Sequence, residues 1–75
     1  MNIYLEILQS NVLPNKYTTW YFGIIQNALA RKTIDVYTEN HHILPKCFKL
    51  GGEKDSKNIV SLTAREHFIC HPIVS

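Results

Sequence analysis

Four histidines occur in this chain, and all fall between positions 41 and 71: an adjacent pair, His41-His42, and a spaced pair, His67 and His71. Asn58 lies between the two pairs. A neutral imidazole ligates borderline metals, and histidine titrates close enough to neutrality to serve as a general base. Two histidine pairs with an amide between them fit a one-metal phosphodiesterase centre. The segment from Tyr37 to His71 therefore holds most of the candidate chemistry.

Each group has its own geometric logic. His67 and His71 are four residues apart, so on a helix both rings share a face and can chelate one ion. The same spacing also arises by chance on ordinary helix surfaces. In an extended segment His41 and His42 point to opposite faces. One ring can then join His67 and His71 at a metal while the other meets substrate or water. Asn58 reads as a turn residue closing the Gly51-Gly52 loop, or as an amide that pins this loop and orients a catalytic ring; the two roles are compatible. Arg65 is by default an exposed helix residue, and it can offer a guanidinium to a phosphate.

Several elements must position these groups. Residues 1–14 form an N-terminal segment in which Tyr4, Leu5, Ile7 and Leu8 fit a helix or a strand equally well. Asn11 to Lys16, with Pro14-Asn15 inside it, is a turn. In 15–33, Tyr17, Trp20, Tyr21, Ile24, Ile25, Ala28 and Leu29 recur at helical spacing. They predict an amphipathic helix from about Asn15 to Lys32 whose aromatic stripe is a core face. Arg31 and Lys32 fall in its last turn, where they complement the helix dipole. Thr33 to Tyr37 and Asn58 to Leu62 read as extended, with the Gly51-Gly52 loop and the polar run Glu53 to Lys57 between them. Thr63 and Glu66 make a capping box that opens a final helix. The expected order is helix, strand, loop, strand, short helix.

The chain has 75 residues, room for a single domain with a thin core. A hydrophobic fraction of 45% with one Trp, four Tyr and three Phe excludes a disordered chain. The formal charge of +2 is compatible with nucleic-acid binding and lower than that of most dedicated binders. Cys47 and Cys70 are too few for a thiolate-only zinc site and read as free, buried packing residues of a reducing cytosol. The N-terminus MNIYLEILQS has no signal-peptide pattern, and no apolar run reaches the length of a membrane span. A cytoplasmic location follows, the host-cell cytosol for a phage-encoded chain.

Taken in order, Tyr37-Thr38-Glu39-Asn40-His41-His42-Ile43-Leu44-Pro45-Lys46, Gly51-Gly52, Asn58-Ile59-Val60-Ser61-Leu62-Thr63 and Ala64-Arg65-Glu66-His67-Phe68-Ile69-Cys70-His71 resemble the HNH endonuclease family, most of all its bacteriophage homing-endonuclease branch. The helix around Trp20-Tyr21 resembles the segment that often precedes the motif in phage members. The resemblance implies an α+β architecture: a ββα-metal core over 34–75, preceded by the amphipathic helix and holding one divalent ion. It also matches His41, His67 and His71 to the metal ligands, His42 to the general base, and Asn58 to the residue that holds base and loop in place. On sequence grounds His41 and His42 remain interchangeable. The implied reaction is hydrolysis of DNA phosphodiester bonds. Magnesium, manganese, nickel and zinc all suit the site in different settings.

Two features depart from the family pattern. Phage members generally continue well past the motif, whereas this chain ends at Ser75, so a missing DNA-reading module and weak sequence specificity are expected. Pro72 follows His71 directly; it lacks the donor for the Phe68 carbonyl and disfavours helical geometry at His71. The expected helix is about two turns long, and His67 is the expected stronger ligand. Three functions are compatible: a small metal-dependent endonuclease of little specificity, a shortened derivative that binds a host protein, and a zinc-stabilised module using His67, His71 and Cys47 or Cys70. The endonuclease ranks first because every side chain it needs is present.

Overall fold

Asn2 starts the first helix, α1 (Ile3–Asn11), by accepting bonds from the Tyr4 and Leu5 amides at 2.8 and 3.3 Å. This computed structural model describes residues 2–31, 35–45, 51–52 and 54–74. The apolar ambiguity of the N-terminal segment is thus settled as helix, and its Leu5 and Leu8 are fully buried. Asn15 starts α2 (Lys16–Ala30) in the same way, its side chain accepting from the Tyr17 and Thr18 amides while the Thr18 hydroxyl oxygen accepts from the Asn15 backbone amide. The chain leaves α2 at Arg31, whose backbone is extended.

Two five-residue strands follow, β1 (Thr38–His42) and β2 (Ile59–Thr63). They pair antiparallel from Thr38 opposite Thr63 to His42 opposite Ile59. One more bond, from the Ile43 amide to the Asn58 carbonyl at 2.8 Å, closes the ladder. A 3-10 turn, Ser56–Asn58, leads into β2. The third helix, α3 (Ala64–Val74), starts directly after β2. Its capping box is the expected one: the Glu66 carboxylate accepts from the Thr63 amide at 2.9 Å, and Thr63 Oγ1 accepts from the Glu66 amide at 3.2 Å. The α+β order is therefore as expected, with an additional helix at the front. No described helix is long and apolar enough to cross a membrane.

One core joins these elements. Leu5 and Leu8 from α1, Tyr21, Ile25 and Ala28 from α2, Ile43 and Leu44, Val60 and Leu62 from β2, and Cys70 from α3 are all buried in it. Each large aliphatic member contributes roughly 1.5–3 kcal/mol of burial. The β1–β2 connection is stitched to α1 by polar groups. Asn2 Nδ2 donates to the Lys57 carbonyl at 2.7 Å, and the Tyr4 hydroxyl donates to Asp55 at 2.5 Å. Gly52 is required there: its φ is 84°, and an added Cβ would stand 2.3 Å from the Tyr4 ring.

Four expectations need correction. Strand β1 begins at Thr38, after a bend at Asp35 and Val36, so the extended segment lies later than Thr33 to Tyr37. Pairing with β2 decided its position over local propensity; Thr33 itself lies outside the described residues. The stripe on α2 is wider than the core face: Tyr21, Ile25 and Ala28 are buried, whereas Tyr17, Trp20 and Leu29 are exposed. Arg31 does not complete the last turn of α2; it follows the helix and points its charge at α3. Lys32 is outside the described residues. Finally, α3 continues through Pro72 to Val74. Proline forfeits one bond, to the residue four back. Near a helix end, with Ile73 packed against the core, that loss is tolerated.

Candidate active site

The alternation of β1 separates the adjacent histidines. His41 faces inward and is 8% exposed, while His42 is exposed on the other face. Inside, the His41 ring meets α2: its Nε2 lies 2.9 Å from the Tyr21 hydroxyl, which also donates to the Ile43 carbonyl at 2.8 Å. Burial, reinforced by the neighbouring His67, His42 and His71 rings, pushes the His41 pKa down to about 4. His41 is therefore neutral at pH 7, the form in which imidazole ligates metals.

Helix α3 brings the other two rings alongside. The centroids of His41 and His67 are 5.2 Å apart, and those of His67 and His71 are 6.0 Å apart. His71 is part of the helix, so the reason for ranking it below His67 as a ligand falls away. The ring of His67 is held from β1, where Glu39 Oε1 lies 2.7 Å from its Nδ1. That contact holds the Glu39 carboxyl below the usual carboxylate range. Glu39, Ala64, His67, Phe68, His71 and Pro72 line an open hollow of about 450 Å³. Two of the three imidazoles, His67 and His71, thus border the hollow, together with the exposed Phe68 ring.

The His67 ring makes an edge contact with each of the other two. Among the described residues, no three His, Cys, Asp or Glu side chains already converge on one point in a ligating arrangement. The chemistry of the donor set nevertheless suits a divalent ion: neighbouring imidazoles, one kept neutral by burial and one held by a carboxylate. Cys70 does not join them. It is fully buried in the core, and burial with the nearby Glu66 charge pushes its thiol up to about 11. Cys47 lies outside the described residues.

Asn58 is fully buried and spends its whole amide on the β1–β2 connection. Its Oδ1 accepts from the Leu44 amide at 2.8 Å, and its Nδ2 donates to the Leu44 and Gly52 carbonyls, each at 3.2 Å. The loop-pinning role is visible directly. Its bonds to Leu44 also fix the backbone two residues after His42. Arg65 is exposed on α3.

Three residues of the site were not singled out from sequence. Tyr21 was assigned to the core, and nothing local marks it as a partner of His41. Glu39 carried a signal: it lies two residues before His41, on the same strand face. Arg31 makes two bonds to Glu66, at 2.7 and 2.8 Å, and one to the Ser61 carbonyl at 2.8 Å, fixing the start of α3 beneath His67.

A strand pair feeding a helix, with imidazoles gathered where they meet, is an arrangement suited to nuclease chemistry. Three phage proteins match the chain. It is 49% identical over 59 residues to "Probable mobile endonuclease E" of Enterobacteria phage T4, covering 79% of this chain and 40% of that protein. It is 49% identical to "Probable mobile endonuclease D" and 41% identical to "Probable mobile endonuclease B" of the same phage, each over 59 residues, covering 73% of this chain and 22% of the relative. Over these residues the chain is similar to phage proteins named as probable mobile endonucleases. It spans less than half the length of each of these relatives. No protein-family model and no solved structure matches it.

Proposed function

We propose that this chain is a metal-dependent HNH nuclease unit that hydrolyses DNA phosphodiester bonds with little sequence preference. The observation that carries the reading is the division of labour across β1: His41 turned in against His67, and His42 turned out. Support comes also from Asn58, which fixes the connection that follows the pair, and from the T4 relatives, each named a probable mobile endonuclease. The imidazoles and the exposed Arg65 guanidinium suit a phosphate, which is the same in every sequence.

In this reading His41, His67 and His71 would hold one divalent ion. Bound there, the ion would stabilise negative charge on the phosphate and the leaving oxygen. His42 accepts a proton from water, and the water oxygen attacks phosphorus in line with the 3′ oxygen, which departs and takes a proton from solvent. The products carry a 5′-phosphate and a 3′-hydroxyl. Asn58 keeps the backbone beside His42 from shifting, and Arg65 contacts a phosphate next to the cut.

Supercoiled plasmid incubated with magnesium, manganese, nickel or zinc tests this. Nicking is expected with at least one ion and is expected to fall by about 100-fold or more in His42→Ala, the scale of a lost general base. A folded chain that nicks no plasmid with any of these ions, or a His42→Ala variant as active as the parent, overturns the proposal.

A further inference from the structure

We infer that Tyr21 and Glu39 are positioning residues that fix opposite tautomers on His41 and His67, so that His41 presents Nδ1 and His67 presents Nε2 to a shared cation. The inference rests on the metal-centre reading above and specifies which atoms would do the binding.

It follows from counting protons. The Tyr21 hydroxyl has one hydrogen and two short contacts, the Ile43 carbonyl at 2.8 Å and His41 Nε2 at 2.9 Å. A carbonyl oxygen only accepts, so the hydrogen goes to Ile43. The phenol oxygen then meets the imidazole with a lone pair, and His41 Nε2 must supply the hydrogen. A neutral ring has one N–H, so the free lone pair is on Nδ1.

The second ring is constrained in the opposite sense. Glu39 Oε1 lies 2.7 Å from His67 Nδ1, and an ionised carboxylate only accepts. Nδ1 of His67 therefore carries hydrogen, and Nε2 is the nitrogen left for a ligand. The carboxylate is itself held at its far oxygen by the Tyr37 hydroxyl at 3.3 Å. A metal takes only an unprotonated nitrogen, so partners outside the ligand set decide which atom each ring can offer. These partners come from two elements: Tyr21 from α2, and Glu39 from β1.

The test begins with the metal-free chain, labelled with nitrogen-15 at histidine and held with a chelator near neutral pH. Long-range proton–nitrogen correlation reads each tautomer without activity or metal. The lone-pair nitrogen is expected at Nδ1 in His41 and at Nε2 in His67. Tyr21→Phe, which keeps the ring volume, is expected to release His41 into a mixture of tautomers, and Glu39→Ala is expected to do the same to His67. With the chelator removed, calorimetric titration with zinc alone is expected to show affinity about 10–100-fold lower in Glu39→Ala. Glu39→Gln, whose amide oxygen can accept the same bond, is expected to recover most of that loss. Should Tyr21→Phe fail to fold, the Glu39 pair decides alone, because that side chain sits at the surface of the hollow.

Opposite tautomers in the parent, or a His67 signal indifferent to Glu39→Ala, overturn the inference even if the chain binds zinc and cuts DNA. The expected tautomers in a parent that binds no ion overturn the metal-centre reading and leave the tautomer assignment standing.

Discussion

Asn58 and Glu66 each make three side-chain hydrogen bonds at a junction of the site, yet they sit in opposite surroundings. The Asn58 amide bonds Leu44 twice and Gly52 once with no solvent exposure. The Glu66 carboxylate bonds Arg31 twice and Thr63 once with its side chain 24% exposed. Water can replace the partners of Glu66 and does not reach the Asn58 amide or its two bonds to Leu44. An equal number of bonds therefore implies unequal energies, because the larger cost lies in stranding a polar group away from water. The strand side of the site is fixed by groups that cannot be removed cheaply, and the helix side is held by ties that can be adjusted.

The largest expected effect is at Asn58. Asn58→Ala strands the Leu44 amide and two carbonyls, and urea titration should show a loss of about 3–5 kcal/mol, enough to unfold a domain of this size. A loss below about 1 kcal/mol would mean that water enters the connection and that the contrast with Glu66 is false.

A smaller effect should come from acid, which tests burial on the strand side without changing a residue. The folded chain holds His41 near pKa 4, against an ordinary value of 6.5. Between these values the unfolded chain binds more protons, so stability falls as pH falls from 6.5 to 4 and gains nothing above 6.5. With a chelator present, the loss should be about 2–3 kcal/mol. His41→Phe should flatten that part of the profile; an unchanged slope would show that another group titrates there.

The smallest effect is expected at the helix side. Arg31→Ala should cost about 1 kcal/mol, the scale of a partly exposed bidentate pair. The difference from the parent should shrink in strong salt. A cost matching that of Asn58→Ala would place the two junctions in one class.

Much of this architecture was legible where a few neighbouring residues decide it. The Thr63–Glu66 pair announces a helix start because capping is local chemistry. The position of β1 was hidden, since Thr38-Glu39-Asn40-His41-His42 has little intrinsic strand preference and becomes a strand by pairing with β2. The aromatic stripe overstated the core because a thin domain buries only a narrow arc of α2, leaving Trp20 and Tyr17 outside. At the site, the proximity of His41 and His67 followed from the resemblance to HNH endonucleases. The contacts that hold these rings, from Tyr21 and Glu39, span distant stretches of chain that no local pattern connects.

The ladder between β1 and β2 carries a hidden liability. Its register sets His41 opposite Val60 and His42 opposite Ile59. Slippage by a single residue would rotate the strand by half a turn about its axis. The imidazole meant for solvent would then be driven against Tyr21, and the one meant for Tyr21 would be expelled into water. The Asn58 grip on Leu44, two residues past the pair, is what holds the strand against that exchange.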